Sequence, residues 1–345
     1  MSESTNPNAE QPQPDRTLPV PTRKKLTGIS STAWEHPADR AALNTLRALP
    51  GFDEVVRKVM GFLGDRGVRQ LFLANAVRIG PRQRPKLDAL YSEVIETFDY
   101  PGERPDLYVT QTPFVNAAAV GFEKPFIVLN SGTLGLLDRE GRRDILGHEL
   151  GHIASGHAVY TTLAILIMLG VKNLPFMAGI SLIPFELAML EWYRKAEFSA
   201  DRAGLLATQD PVKTMEVFLK MAGGAGGDDT IDLDAYMVQA NEYETQGGVI
   251  EFIVKILATM RRTHPMNTVR AAELQRWIQS GEYDRILRGE YPRRDGEGQR
   301  PLGEDYADAA GYYGQQVRGV VDELSGTWSR AKDAFNTKFG QSSSK

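Results

Sequence analysis

The sequence predicts an α+β fold that is mostly helical, with one small mixed or antiparallel sheet. Residues 34–98 carry apolar side chains at spacings of three and four, the period of an amphipathic helix. Between residues 106 and 130 the pattern changes to that of short strands, and beyond residue 130 the helical period returns almost throughout. At 345 residues, the chain is long enough for one large domain or two modest ones.

The N-terminal part of the chain divides into a tail and a helical region. Residues 1–27 are polar and rich in proline, which predicts a disordered tail. They contain no apolar run typical of a secretory signal, so we expect a cytoplasmic protein. Residues 28–105 predict a helical region packing on the core, with three amphipathic segments: AALNTLRAL, FDEVVRKVMGFL and KLDALYSEVIETF.

Residues 106–290 form the main predicted domain. Three short runs at its start, LYVTQ, FVNAAAV and FIVLN, predict strands, and GFEKP predicts the turn between the last two. Helical segments follow. No internal repeat is present in the sequence.

Composition narrows the classes of function. The net charge is −4 and no long basic stripe is present, so we expect no nucleic-acid partner. The chain has no cysteine, so a transition-metal site would have to use histidine and carboxylate ligands.

The sequence GHELGH contains two histidines four residues apart. If one helix runs from about residue 140 to 160, His148 and His152 lie on the same face, one turn apart, and Glu149 lies beside them. Two imidazoles so placed can bind one Zn²⁺, with the glutamate acting on a water molecule. The alternative is a polar helix face with two solvated histidines. Gly147 and Gly151 each precede one of these histidines and lie four residues apart on one face, which predicts the close approach of another backbone.

A third ligand is needed, because catalytic zinc usually has three protein ligands and an open position. In RKAEFSADRAG, Glu197 and Asp201 are four residues apart on a predicted helix. Glu197 could bind the metal, and Asp201 could accept the ring N–H of a ligating histidine. The alternative for this pair is a solvated acidic face.

HELGH followed by EFSADRAG, and preceded by FVNAAAV and FIVLNSGTLGLL, resembles the HtpX-like and CAAX-prenyl-protease-like zinc metallopeptidases, a gluzincin family. The resemblance covers roughly residues 105–275. It implies a zincin-like core with an active-site helix and one zinc ion per chain. It also implies His148, His152 and Glu197 as ligands, Glu149 as general base and Asp201 behind the ligands.

The resemblance extends to two further motifs. Asn116-Ala117 matches the family's substrate-binding step on the edge strand of the cleft, where an extended peptide would pair through its backbone. In THPMNTVR, His264 and Arg270 match the family's His-Pro element and a downstream arginine. Either could hold the oxyanion of the tetrahedral intermediate. Thr263 and Pro265 could equally just start the next helix.

His157 lies outside the predicted metal-facing stripe, and we interpret it as structural. His36 stands at a predicted helix start and is assigned no chemistry.

Residues 157–190 predict an apolar helical hairpin. Its uncharged runs, 158–171 and 173–185, are shorter than the roughly twenty residues of a spanning helix. Buried helices are one interpretation and a re-entrant or interfacial hairpin is the other. The second would give peripheral contact with the inner face of a membrane.

The C-terminal part is predicted to be separate from the main domain. Residues 291–303 predict a linker, 304–340 an amphipathic helix and 341–345 a tail. The helix could pack back on the main domain or dock a partner.

The leading hypothesis is a zinc-dependent endopeptidase that hydrolyses extended or unfolded polypeptides with a glutamate-activated, zinc-bound water. The alternative is a zinc-binding regulatory or chaperone-like protein with latent or no proteolytic activity. A third hypothesis is a helical membrane-surface scaffold with a fortuitous HExxH.

Overall fold

The computed structural model describes residues 23–168, 183–225, 231–245 and 266–296. The α-helices in these ranges are α1 (Pro37–Arg47), α2 (Phe52–Leu73), α3 (Pro85–Thr97), α4 (Ser131–Leu136), α5 (Arg139–Ala154), α6 (Ala158–Met168), α7 (Ile183–Thr208), α8 (Pro211–Gly223), α9 (Leu233–Thr245), α10 (Asn267–Gln279) and α11 (Glu282–Leu287). The strands are β1 (Ala76–Arg78), β2 (Asp106–Thr110), β3 (Ala117–Val120) and β4 (Phe126–Asn130).

The four strands form one mixed sheet in the order β1-β2-β4-β3. β2 and β4 are parallel, whereas β1 and β3 pair antiparallel with their neighbours. The three predicted strands are present and the sheet is of the mixed kind, which confirms the predicted α+β, mostly helical fold. The short strand β1 was not predicted. β3 is an edge strand, and its outer side is unpaired within the described chain.

Helices cover both faces of the sheet. Successive side chains of a strand point to opposite faces, so each strand contributes to two cores. In β2, Leu107 and Val109 belong to a core shared with α3, α5, α7 and α8. Tyr108 between them belongs to a second core, shared with α1, α2, α6 and α7. Helix α7 also contributes side chains to both cores, so it connects them as the sheet does.

Helix α5 packs most extensively against α7, and glycines allow this close approach. A Cβ atom on Gly147 would stand 2.3 Å from Cβ of Ala207, and one on Gly151 would stand 2.4 Å from Cβ of Ala203. Both distances are too short for real Cβ contacts. The prediction that a second backbone approaches this face is therefore confirmed.

Gly151→Ala is expected to destabilise the fold by about 1–3 kcal/mol, because the added methyl group overpacks the α5–α7 contact. The measurement is the free energy of unfolding in a denaturant titration. Gly61→Ala is the matched control: nothing lies within 4 Å of its Cβ position on α2. There the substitution should stabilise by up to about 1 kcal/mol through helix propensity. Equal effects at the two positions would contradict the packing argument.

Two sequence-based boundaries need correction. A single helix from about residue 140 to 160 was expected, but α5 ends at Ala154 and α6 begins at Ala158. Gly156, at φ +71°, makes the turn between them. Residues 23–27 were assigned to the disordered tail, yet Leu26 is buried and its N–H donates to the carbonyl of Thr97.

Part of the predicted linker is also packed. Arg293 forms a β-bridge with Ile29, and the N–H of Arg294 donates to the carbonyl of Gly28 at 2.9 Å. Residues 1–22, 169–182 of the predicted hairpin, 297–303, the predicted helix 304–340 and the tail 341–345 lie outside the described residues.

Across the described ranges, no single helix has the length and apolar character needed to cross a membrane. Arg139–Ala154 and Ala158–Ile167, which meet at an angle of 95°, satisfy the same test only when taken together as a bent pair.

Candidate metal centre

Three buried side chains converge between α5 and α7. One ligand atom from each of His148, His152 and Glu197 lies within 4.8 Å of the others. Nε2 of His148 is 3.6 Å from Oε2 of Glu197, and Nε2 of His152 is 3.4 Å from Oε1 of the same carboxylate. The two imidazoles and the carboxylate therefore face a common point, as the sequence spacing predicted.

Local sequence positions these groups. The Asp138 side chain caps α5 by accepting from the N–H of Gly141, and the helix then runs unbroken through both histidines. The close α5–α7 packing at Gly147 and Gly151 brings Glu197 of α7 within reach of the two histidines of α5. Helix geometry supplies two of the three groups, and a tight helix crossing supplies the third.

Behind His148 lies a buried carboxylate. Nδ1 of His148 is 3.1 Å from Oδ1 of Asp201, which matches the position expected for Asp201. Arg270 donates from Nε to Oδ2 of Asp201 at 2.9 Å and from Nη2 to Oδ1. Nη1 of Arg270 is also 3.4 Å from Oε2 of Glu197. One guanidinium thus holds two carboxylates of the cluster.

Behind His152 lies a second histidine. Nδ1 of His152 is 3.0 Å from Nδ1 of His157, and Nε2 of His157 is 3.1 Å from Oδ2 of Asp39. Sequence reasoning treated His157 as structural and did not consider Asp39. The HxxxxH spacing from His152 to His157 is the sequence signal that could have found His157. Nothing in the sequence points to Asp39, which comes from α1.

The electrostatics of the cluster favour a cation. Burial by itself would lower the pKa of His148, but the hydrogen bond to Asp201 and the charges of Glu197 and Glu149 outweigh it and raise that pKa to about 9. Burial lowers the pKa of His152 to about 4, with a smaller opposing effect from Glu197. His152 is therefore neutral at pH 7, as a metal-ligating imidazole must be.

Charge and donor chemistry test whether a metal fits. The carboxylates of Glu149, Glu197 and Asp201 surround the histidines, together with the single guanidinium of Arg270. A divalent cation would bring this group close to neutrality. Two imidazole nitrogens and one carboxylate are a donor set that zinc takes in catalytic sites. The residues present fit a zinc ion.

Glu149, the predicted general base, is buried on α5 next to His148. The predicted peptide-binding step lies beside this helix: α5 contacts β3, and Ala117 begins that edge strand. Asn116 is exposed, and its backbone is fixed by Thr133, whose Oγ1 accepts from the N–H of Asn116 at 2.8 Å and donates to its carbonyl at 2.7 Å.

The two candidates for oxyanion contact have different outcomes. His264 lies outside the described residues. Arg270 is buried, and its contacts with Asp201 and Glu197 place it behind the ligands. Through these contacts Arg270 holds the two carboxylates in position. A contact of Arg270 with substrate stays a prediction.

This chain is similar in sequence to known proteins over much of its length. The model of the family described as peptidase family M48 matches residues 81–278. The chain is 32% identical to the plastoglobule-localized metallopeptidase 48, chloroplastic, of Arabidopsis thaliana, over 75% of this chain and 76% of that protein. It is 25% identical to a protease HtpX homolog of Moorella thermoacetica, over 67% of this chain and 84% of the relative. No solved structure matches at a comparable level.

Proposed function

Because the chain belongs to peptidase family M48 and is a metalloprotease of that family, we propose that it is a zinc-dependent endopeptidase acting on extended or unfolded polypeptides. The observation that carries the proposal is the convergence of His148, His152 and Glu197 on one point. Their burial and the carboxylate behind His148 give the site the form of a prearranged metal centre rather than a solvated helix face.

His148, His152 and Glu197 would hold the zinc ion, through Nε2 of each imidazole and the carboxylate. When bound, zinc acts as a Lewis acid that polarises the scissile carbonyl and lowers the pKa of a coordinated water towards about 7. Asp201 keeps the Nδ1 proton of His148 in place by accepting a hydrogen bond from it, so a metal at the cluster would displace only the Nε2 proton of that ring. Arg270 in turn keeps Asp201 in position.

Glu149 is the proposed general base. It neighbours His148 in sequence on the same helix and is not one of the three ligand residues. It takes a proton from the attacking water and delivers it to the nitrogen of the leaving amine. Burial keeps bulk water away from this carboxylate, which favours proton transfer at the reacting atoms.

The edge strand β3 is the proposed peptide platform. Its outer side is unpaired within the described sheet, and it contacts α5, the helix that carries the cluster. An extended peptide pairing with Asn116 and Ala117 would bind mainly through its backbone, which is typical of β-augmentation. This mode of binding requires an unfolded or extended substrate and supports broad sequence preference.

Three sequence-based expectations remain part of the proposal. His264 is proposed to hold the oxyanion. Residues 157–190 are proposed to touch a membrane surface from its cytoplasmic side, and the segment 304–340 to dock a partner or this chain itself. The Arabidopsis relative is named as plastoglobule-localized, which is a statement about that protein.

The proposal is tested with the purified full-length chain. We expect one zinc per chain by elemental analysis and cleavage of unfolded casein, with little cleavage of a tightly folded protein. Removing zinc with a chelator should abolish cleavage, and adding one equivalent of zinc should restore it. A chain without zinc would contradict the proposed centre. A chain with zinc but no cleavage would instead favour a latent or regulatory zinc protein.

A further inference from the structure

The two histidines of the cluster are supported from behind in different ways. His148 contacts a carboxylate directly, through Asp201. His152 contacts a second imidazole, that of His157, which then contacts the carboxylate of Asp39. The side chains of His152, His157 and Asp39 are all buried. Each polar contact between them therefore needs one donor and one acceptor.

Asp39 can only accept in this arrangement. Its Oδ1 faces Nε1 of Trp192 at 2.9 Å, and an indole N–H is always a donor. Its Oδ2 faces the hydroxyl of Ser199 at 2.5 Å. The Ser199 hydroxyl accepts from the backbone N–H of His36 at 2.8 Å, so its own proton is directed to Asp39. Two donors from α7 thereby fix Asp39 as an ionised acceptor.

The remaining protons follow from this assignment. Because Asp39 only accepts, Nε2 of His157 carries a proton. In the zinc-loaded state a metal on Nε2 of His152 leaves the proton of that ring on Nδ1. Because the two Nδ1 atoms are 3.0 Å apart, they cannot both carry protons, so Nδ1 of His157 accepts with its lone pair and His157 is neutral. The Nε2 atom of His152 is left with its lone pair, and this is the atom that faces Glu197.

We infer that Asp39 and His157 are positioning residues of the metal centre, which fix the ring orientation and tautomer of His152 so that its Nε2 is available to the metal. The inference rests on the proposed zinc site and adds a requirement to it. Asp39 lies in the first turn of α1, outside the residues 81–278 that the family model matches. The N-terminal helix therefore completes the site.

The break between α5 and α6 allows His157 to contact His152. Gly156 turns the backbone at positive φ, and the N–H of His157 donates to the carbonyl of His152 at 2.9 Å. This folds the His157 ring back against His152, with the ring centroids 5.3 Å apart. A continuous helix would carry the side chain at position 157 away from residue 152, since five residues correspond to about 140° of rotation.

The test measures zinc affinity of the full-length protein by competition with a chromophoric chelator. Asp39→Asn is expected to weaken zinc binding by about 10–100-fold, the usual effect of losing such a supporting group. The side-chain amide of the new asparagine can take two orientations. In one its NH₂ group faces the N–H of Trp192, and in the other it faces the donors of His157 and Ser199, so a donor always meets a donor. His157→Leu should have a similar effect. His157→Gln should recover most of the affinity, because its amide has an oxygen that can accept from His152 and an NH₂ group that can donate to Asp39.

His36→Asn is the matched control. His36 also anchors α1, through a contact of its Nε2 with Glu273 at 3.1 Å, but it has no contact with His152 among those described. Nδ1 of His36 caps α1 by accepting from the N–H of Ala38, and the side-chain oxygen of asparagine can accept in its place. We expect this variant to lose stability, seen as a lower unfolding midpoint, and to keep its zinc affinity. The control thereby separates the docking of α1 from its effect on the metal.

Histidine ¹⁵N NMR gives a readout independent of catalysis, and five histidines make the assignment tractable. In the zinc-loaded protein, protons are expected on Nε2 of His157 and Nδ1 of His152. A proton on Nδ1 of His157, or unchanged zinc affinity in both Asp39→Asn and His157→Leu, would overturn the inference and leave the proposed function standing. Failure of the unsubstituted chain to bind zinc would overturn both.

Discussion

Glu149→Gln is expected to reduce peptide cleavage by about 10²–10⁴-fold, the contribution typical of a positioned general base. Glutamine has nearly the same shape as glutamate but cannot take a proton from water. The fold and the metal should be unaffected, because the ligand cluster consists of His148, His152 and Glu197. The measurements are kcat on unfolded casein and zinc content of the same preparation.

The control for this variant is Glu282→Gln, a change of the same chemistry at an exposed side chain on α11. It should leave kcat within experimental error. Loss of zinc from Glu149→Gln would mean that Glu149 is needed to bind the metal. Full activity with zinc retained would remove Glu149 from the mechanism and leave proton transfer to another group.

The metal-binding motif could be predicted from sequence because helix geometry is local. Once His148 and His152 are on one helix, their spacing alone places both rings on one face. Gly147 and Gly151 likewise predicted a close helix crossing. Glycine in a helix interior lowers the stability of the helix, and a close contact with a second helix can offset that loss. Glu197 followed from the need for a third ligand and from the resemblance to a family.

The groups behind His152 could not be predicted, because they depend on tertiary contacts. Asp39 is more than one hundred residues from His152 in the sequence, and its place is decided by how α1 packs on α7. His157 was not expected to contact His152, for a related reason. A continuous helix through residue 160 would direct it elsewhere, and only the turn at Gly156 brings it back. The strand β1 was missed since three residues carry too little pattern.

Arg270 shows how a motif can leave the main contacts of a residue unpredicted. Its position in THPMNTVR led to the expectation of a contact with substrate. In the fold, its guanidinium forms a two-bond pair with Asp201 and reaches Glu197. Burial would lower the pKa of Arg270, but these two carboxylates raise it well above its usual value. A cation held in this way stabilises the ligand set electrostatically.

Arg270→Met is therefore expected to destabilise the metal-free protein by about 3–5 kcal/mol, because it leaves Asp201 and Glu197 buried without their shared cation. Arg270→Lys should cost less, since the charge is kept and the two-bond geometry is lost. The measurement is the free energy of unfolding in denaturant, with a chelator present. Zinc should recover part of the loss in Arg270→Met, because a divalent cation gives Glu197 a new partner while His148 still donates to Asp201.

The comparison of the two conditions separates three roles for this arginine. Equal destabilisation with and without zinc would mean that Arg270 acts mainly by filling space near Phe218, over whose ring its guanidinium lies at 5.3 Å. A normal unfolding free energy with a large fall in kcat would instead support the oxyanion contact expected from the sequence. Strong destabilisation that zinc partly reverses is the outcome that follows from the observed contacts, because only then is the cost of losing Arg270 set by the charge of the metal centre.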